Sequence, residues 1–134
     1  MAVIGASYYF PAQFLSERGY RQMELGRSRS FFNDGVFQYK NKWRHRLSGY
    51  DTDGMIVKVL TLSDAIKRFL IKQPFASIEN KKLVANVFVD GSNESQEEVQ
   101  EKINWLYSLE GLDAVNIYAL DSPPDSIQLM CKQL

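Results

Sequence analysis

The best-marked part of this sequence is a helix that follows one apolar run and precedes another. Ser95 and Glu98 stand three residues apart at the start of the helical pattern, which is the spacing of a capping box, and Gly111 suits the left-handed conformation beyond a helix end. The runs on either side, LVANVFVD at 83–90 and VNIYAL at 115–120, are typical of strands. The sequence therefore predicts a domain in which a helix packs on a sheet.

The elements before this unit indicate a particular α+β arrangement. MIVKVLT at 55–61 reads as a strand, a helix is expected between the N-cap Ser63 and Pro74, and FASIE at 75–79 is joined to the next strand by a short polar link. From 55 to 120 the order is strand, helix, strand, strand, helix, strand, which is the order of a ferredoxin-like βαββαβ sandwich. If 75–79 is not a strand, the alternative is a small doubly wound parallel sheet.

Two further strands and an N-terminal helix are predicted beyond this sandwich. In a strand at 36–47, aromatic residues share one face and cations the other, because successive side chains of a strand point to opposite sides. The aromatic face is expected to be buried. A short strand is predicted at 126–132, and a helix is predicted to begin at Pro11 and to end before Gly26.

The chain has the composition of a soluble globular protein. It holds 134 residues, of which 45% are hydrophobic and 24% charged, and this length suits one domain with its own core. We interpret residues 1–134 as a single domain, with an N-terminal arm and helix at 1–35 and an α+β core at 36–134.

The formal net charge of zero hides a strong asymmetry along the chain. Residues 1–50 carry eight Lys and Arg against three Asp and Glu, whereas residues 51–134 carry eight against thirteen. The first part therefore has a formal charge of +5 and the second part a formal charge of −5. A dipolar chain of this kind attracts an anionic partner on one side or pairs with copies of itself, although sorted charges also arise on the solvated faces of ordinary elements.

The sequence offers little material for catalysis or for a metal site. One histidine and one cysteine cannot supply the three or four ligands of a zinc site, and no nucleotide-binding or nucleophile-elbow motif occurs. Asp51 with Asp53, and Asp90 with Glu94, resemble parts of calcium loops, but the remaining ligand positions do not follow the calcium-loop pattern. We therefore expect neither an enzyme nor a bound cofactor or metal.

The first hypothesis is a non-catalytic interaction or assembly module that docks on a larger protein partner or forms a homo-oligomer. Aromatic residues and arginine are enriched at the centres of interfaces, and both are concentrated in the N-terminal part of the chain. The residues expected to contact a partner are the cations Arg27, Arg29, Lys40, Lys42, Arg44 and Arg46 and the aromatic residues Tyr8, Tyr9, Phe10, Phe31 and Phe32.

Two other functions are kept as alternatives. The first is single-stranded nucleic-acid binding through the stretch from Arg27 to Arg46, because cations that follow phosphates and rings that stack on bases are the means of such binding. The second is a small enzyme with an acidic site that includes Asp51, Asp53 and Asp90.

The sequence predicts a cytoplasmic protein without a membrane segment. No apolar run approaches the length of about 18 residues that a membrane span needs, and the N-terminus lacks the pattern of a secretion signal. The single Cys131 cannot close an internal disulfide, which agrees with a reducing compartment.

Overall fold

The computed structural model describes residues 2–43, 45–48, 60–91, 94–120 and 132–133. In chain order its elements are α1 (Ala2–Glu17), α2 (Gly35–Asn41), α3 (Asp64–Lys72), β1 (Phe75–Glu79), β2 (Lys82–Val89), α4 (Gln96–Tyr107), β3 (Ala114–Ala119) and β4 (Lys132–Gln133).

The four strands form one mixed sheet in the order β1-β2-β3-β4. β1 and β2 are antiparallel, as the polar link between them predicts, and Phe75 lies opposite Asn86. Asn80 and Lys81 in their connection both have positive φ, of 51° and 66°, which is the backbone of a type I′ hairpin turn. β2 and β3 are parallel, and the two residues of β4 pair antiparallel with the start of β3.

The mixed α+β class is confirmed, but a full ferredoxin-like βαββαβ sandwich is not. β2 and β3 are direct neighbours, whereas the split pattern of that sandwich places another strand between them. Of the strand expected at 55–61, residues 55–59 lie outside the described residues, and Leu60 and Thr61 belong to no strand. Of the strand expected at 126–132, only Lys132 is described, and it pairs with Val115.

The prediction of a strand at 36–47 is wrong, because this stretch begins with the helix α2. Asp34 is the N-cap, and its Oδ1 accepts hydrogen bonds from the backbone N–H of Val36 at 3.0 Å and of Phe37 at 3.3 Å. The buried positions of α2 are Phe37 and Lys40, which are three residues apart, as on one face of a helix. The division into an aromatic and a cationic face does not exist, and Trp43, expected to be buried, is 38% exposed.

The N-terminal helix begins and ends earlier than the sequence predicts. α1 contains Pro11 rather than starting at it, and it ends before Gly19, whose φ is +81°. The N–H of Gly19 donates to Ser16 O at 3.0 Å and the N–H of Tyr20 donates to Leu15 O at 3.1 Å, which together form a Schellman motif. Residues 20–29, all of which are described, form no helix or strand.

The caps expected on the two later helices are confirmed. Ser63 caps α3, where its Oγ accepts from the N–H of Ile66. At the start of α4, Ser95 Oγ accepts from the N–H of Glu98 at 3.2 Å, and Glu98 Oε2 accepts from the N–H of Ser95 at 2.9 Å. These reciprocal bonds complete the capping box and fix the position at which α4 begins.

The core lies between one face of the sheet and the helices α2 and α4. Alternate residues of β2 and β3 meet the buried side of α4, and α3 packs against β2. Phe32 is 1% exposed, and its ring makes edge contacts with Phe37 at 5.2 Å and with Trp105 at 6.2 Å between centroids. The buried cluster consists of Phe32, Phe37, Ala85, Val87, Leu106, Leu109, Leu112 and Val115.

The segment after α2 is held against the end of α4. The N–H of Leu47 donates to Glu110 O at 2.8 Å, and Gly111 has a φ of +95°. A Cβ atom on Gly111 would lie 3.0 Å from Leu47 N and closer still to Leu47 O. α4 ends at Tyr107 with Ser108 as its C-cap, so Gly111 lies beyond the helix end in the turn that follows. There its positive φ and lack of a side chain admit the backbone of Leu47.

We expect Ser95→Ala to lower the free energy of unfolding by about 1 kcal/mol, since it removes the side-chain half of the capping box. The hydrogen bonds from Ser95 hold the pKa of Glu98 below its ordinary value. The part of the cap that depends on ionised Glu98 is therefore present above about pH 4.3 and is lost as the pH falls through the lowered value. Urea denaturation at neutral and acidic pH measures both effects. Gln96→Ala, at the adjacent exposed position, should change stability by less than about 0.5 kcal/mol.

Gly111→Ala should destabilise the fold by about 2 kcal/mol or more, because it adds a backbone clash to the strain of a positive φ. Gly26→Ala is the matched control, since Gly26 has a φ of +73° and open space where a Cβ would stand. Gly26→Ala should therefore lower the free energy of unfolding by about 1 kcal/mol, which is the cost of the positive φ alone. Thermal denaturation measures both variants. If Gly111→Ala and Gly26→Ala lose the same amount of stability, the backbone of Leu47 does not approach Gly111 as closely as the structure indicates.

Candidate interaction surface

The inner side of α1 rests on α2 through aromatic rings. The ring of Tyr8 lies 5.7 Å from that of Tyr39 and 6.1 Å from that of Trp43, and both pairs are tilted. Gly5 brings the helix close to the same place, because a Cβ there would be 3.7 Å from Tyr39 Oη. Among the described residues, α1 therefore contacts the rest of the protein mainly through aromatic rings.

The outer side of α1 presents apolar rings to solvent. Phe10 and Phe14 are one helical turn apart and are 64% and 52% exposed, and with Pro11, Gln13 and Glu17 they line a shallow groove. Burying a phenylalanine side chain is favourable by about 1.5 to 3 kcal/mol, so two exposed rings on one helix face form a strong candidate for a docking surface.

The polar groups at the end of this groove are already engaged with each other. Gln13 Nε2 donates to Glu17 Oε1 at 3.0 Å. The guanidinium of Arg18 lies 3.4 Å from the centroid of the Phe14 ring, and its Nη1 donates to Phe14 O at 3.3 Å. Arg18 therefore covers one face of Phe14 and also binds a free carbonyl at the helix end. Charged groups border the groove at this end, while Phe10 stays open.

The cations expected to meet a partner differ in their placement. Arg27 and Arg29 are exposed, and with Asp34 and Val36 they line a second concavity beside the start of α2. Two further cations, Lys42 and Arg46, are also exposed, whereas Arg44 lies outside the described residues.

Lys40 is buried within the chain, so its assignment to the contact surface is wrong. It is 3% exposed, and its Nζ donates to Gly26 O at 2.8 Å and to Arg27 O at 2.7 Å. Burial lowers the pKa of Lys40, and the nearby negative charge of Asp34 opposes this effect only in part. The amine thus holds the segment that carries Arg27 against α2, and its role is to position other cations.

Phe31 and Phe32 are structural residues at the edge of β1, although the sequence places them at the partner surface. The N–H of Phe32 donates to Pro74 O at 2.9 Å and the N–H of Ala76 donates to Ser30 O at 2.7 Å, so that this segment adds to the sheet. Phe32 then enters the core, while the half-buried Phe31 contacts other rings. By contrast, Tyr9 is 54% exposed and lies edge-on to Phe10 at 5.5 Å.

The face of the sheet opposite the core carries a polar network that the sequence analysis missed. Asn86 and Asn116 are both buried and lie opposite each other in the register of β2 and β3. Asn86 Nδ2 donates to Ser77 Oγ at 2.8 Å, and Asn86 Oδ1 accepts from Tyr118 Oη at 3.2 Å. Asn116 Nδ2 lies 3.4 Å from both carboxylate oxygens of Glu79. The sequence held one signal for this network, which is the presence of an asparagine within each of two apolar strands.

Three rings beside this network are stacked on one another. Phe75 and Phe88 have centroids 6.1 Å apart at 28°, and Phe88 and Tyr118 have centroids 5.0 Å apart at 20°. In sheets that bind single-stranded RNA, the aromatic faces are open to the bases. Here both faces of Phe88 are directed at neighbouring rings, so this row does not provide a base-stacking platform.

The residues considered for catalysis and metal binding do not come together in the described part of the chain. Half-buried His45 lies edge-on to Phe37 at 5.7 Å, and Glu94 is paired with Lys102 at 2.8 Å while its Oε2 accepts from the N–H of Asp90. Among the described residues no group of three or more His, Cys, Asp or Glu side chains is placed to hold a metal ion. Three of the candidates, Asp51, Asp53 and Cys131, lie outside these residues.

Comparison of the chain with models of protein families, with curated proteins and with solved structures finds no match. Within the described ranges, no helix combines the length and apolar character needed to cross a membrane.

We expect Lys40→Met to lower the free energy of unfolding by about 1 kcal/mol at neutral pH, because two carbonyl groups lose their donor. The pKa of Lys40 in the folded state is lowered, so the unfolded chain binds more protons just below the ordinary lysine value of about 10.4. Stability contributed by Lys40 therefore rises with pH in that window, and the gap between wild type and Lys40→Met widens. Urea denaturation between neutral and alkaline pH measures this gap. Lys42→Met, at an exposed site, should change the free energy of unfolding at neutral pH by less than about 0.5 kcal/mol.

Proposed function

We propose that the protein is a cytoplasmic, non-catalytic interaction or assembly module that docks on a larger protein through α1 and the exposed cations that follow it. The observation that carries this proposal is the outer face of α1, where Phe10 and Phe14 stand in solvent on a helix with a single charged residue, Glu17. Exposed apolar rings grouped on one helix face mark an interaction site, and the described residues cover the inner side of α1 alone.

The charge around this helix supports a partner that carries acidic groups. Among the described residues of the N-terminal part, 2–43 and 45–48, the exposed cations outnumber the exposed carboxylates, which are those of Glu17 and Glu24. Complementary charge speeds association and selects partners, while aromatic anchors supply most of the affinity. The exposed cations of this region are Arg18, Arg21, Arg27, Arg29, Lys42 and Arg46.

Single-stranded nucleic acid is the second candidate, and the concavity lined by Arg27 and Arg29 favours it, since paired guanidinium groups suit phosphate oxygens. It ranks lower because, on the sheet, both faces of Phe88 are directed at the neighbouring rings Phe75 and Tyr118 and so are closed to bases. Affinity purification of the tagged chain, with and without nuclease, separates the two. A protein recovered in stoichiometric amount after nuclease treatment supports the first candidate, and recovery of nucleic acid alone supports the second.

Reversal of the two arginines tests whether the cationic surface takes part. We expect Arg27→Glu with Arg29→Glu to slow association with the recovered partner by about tenfold or more at low salt, with a smaller effect at high salt. The matched control is Arg68→Glu with Lys72→Glu on α3, which changes the net charge equally at exposed sites. Surface plasmon resonance at two salt concentrations measures both pairs. If the two pairs behave alike, the proposed role of Arg27 and Arg29 is wrong.

A further inference from the structure

We infer that Lys40 is a positioning residue for partner binding, because its buried ammonium group holds the segment that carries Arg27 and Arg29 in the arrangement that binds the larger partner. Lys40 itself does not touch that partner. The inference rests on the proposed function and adds to it the means by which the cationic part of the interaction surface is kept ready.

The segment that carries the two arginines has no regular structure of its own. Residues 20–29 form no helix or strand, and Arg27, Ser28 and Arg29 are all exposed. A backbone without a helix or a ladder of its own is ordered only by its contacts with the rest of the protein. The position of the two guanidinium groups therefore depends on what holds this segment.

Two anchors hold the segment, one on each side of its exposed part. Lys40 Nζ donates to Gly26 O at 2.8 Å and to Arg27 O at 2.7 Å. On the other side, Ser30 O accepts from the N–H of Ala76 at 2.7 Å, which joins the segment to the edge of β1. Only two residues separate the anchored carbonyls of Arg27 and Ser30. The exposed part is thus a short bridge that is fixed at both ends.

The two anchors differ in what they depend on. The anchor at β1 is made by backbone groups, and Phe31 pairs with Phe75 beside it. The other anchor is made by a single side chain. Substitution of Lys40 therefore releases one end of the bridge and leaves the other end in place.

Lysine is a costly choice for this buried position. Lys40 is 3% exposed, and burial of its ammonium group is unfavourable, which lowers the pKa of Lys40 although the negative charge of Asp34 opposes this effect. A methionine would fill a similar volume without this cost, but it cannot donate to a carbonyl. What lysine adds at position 40 is therefore the fixed place of the segment.

One helix fixes the whole lining of the concavity to which the two arginines belong. Arg27 and Arg29 line it together with the start of α2, which Asp34 caps, and Lys40 lies in the same helix. Cations in fixed positions lose less freedom when a partner binds, and this raises affinity. If a released segment spends about a tenth of its time in the bound arrangement, the apparent affinity falls about tenfold.

Limited digestion of the full chain with trypsin tests the position of the segment without any ligand, because cleavage requires a locally released backbone. Lys40→Met should speed cleavage after Arg27 and Arg29 by about tenfold, measured by mass spectrometry against cleavage after Arg21. Arg21 is exposed in the same segment but precedes both anchors, so it is an internal reference. Lys42→Met, which removes an exposed lysine, should leave the ratio of the two rates unchanged.

Ser95→Ala controls for general destabilisation, since it is expected to lose about as much stability as Lys40→Met but lies at the start of α4. The ratio of cleavage rates in Ser95→Ala should equal that of wild type. An equal rise in Ser95→Ala and Lys40→Met overturns the inference, and so does a Lys40→Met variant that is cleaved like wild type.

Binding of fluorescein-labelled hexaglutamate, measured by fluorescence polarisation at several salt concentrations, tests the link to an acidic partner. Lys40→Met should raise the Kd by about tenfold at every salt concentration, since the charge that it removes is buried and does not face the peptide. Arg29→Gln should also raise the Kd but should weaken its dependence on salt, because it removes an exposed charge. If Lys40→Met weakens the salt dependence as Arg29→Gln does, Lys40 acts through its charge and the inference is wrong.

The proposed function and the inference fail in different ways. Wild type that captures no larger protein and does not bind hexaglutamate overturns the proposed function, and the role of Lys40 in binding falls with it. Wild type that binds oligothymidylate but not hexaglutamate does the same and assigns the surface to nucleic acid. If wild type and Lys40→Met bind hexaglutamate equally well, the inference is wrong while the proposed function stands.

Discussion

The parallel pairing of β2 with β3 makes the rest of the fold depend on α4. Parallel neighbours cannot be joined by a tight turn, so the chain must cross over the sheet between them, and α4 makes that crossing. The crossing buries Leu106 against Ala85, Val87 and Val115. Phe32 and Phe37 of α2 belong to the same cluster, so the N-terminal part of the chain packs on the core formed by β2, β3 and α4.

Two asparagines fix how β2 and β3 align. Asn86 and Asn116 lie opposite each other, and each is buried with hydrogen-bond partners on the same face of the sheet. A shift of one residue would turn one of them towards the apolar core and leave its amide without partners, at a cost of about 1 to 3 kcal/mol. The polar network is thus a determinant of register as well as a surface feature.

Local signals account for what the sequence predicted well. The capping box at Ser95, the N-cap at Ser63 and the polar link after Glu79 act over three or four residues, and each appears in the structure where it was expected. The pairing of β2 directly with β3 was not predicted, because it depends on contacts between residues about 30 positions apart in the chain. Local patterns carry no information about such neighbours.

The predictions of secondary structure were wrong where one sequence pattern was compatible with two structures. In the residues after Gly35, aromatic and cationic side chains alternate as they would in a strand, but Asp34 caps a helix there. The inner face of this short helix needs only two buried residues, three positions apart. Gly19 and Gly26 both have positive φ, and the sequence analysis took the second as the end of the first helix. The sequence could not predict the role of Lys40, because the acceptors of its ammonium group are backbone carbonyls 13 and 14 residues away.

The place of Phe32 in the core also sets an order of events during synthesis. Its ring contacts Trp105, which leaves the ribosome 73 residues later, so at roughly 5 to 20 residues per second the ring waits about 4 to 15 s for this neighbour. Throughout that interval the nascent chain displays the aromatic residues of its N-terminal part with no core to receive them.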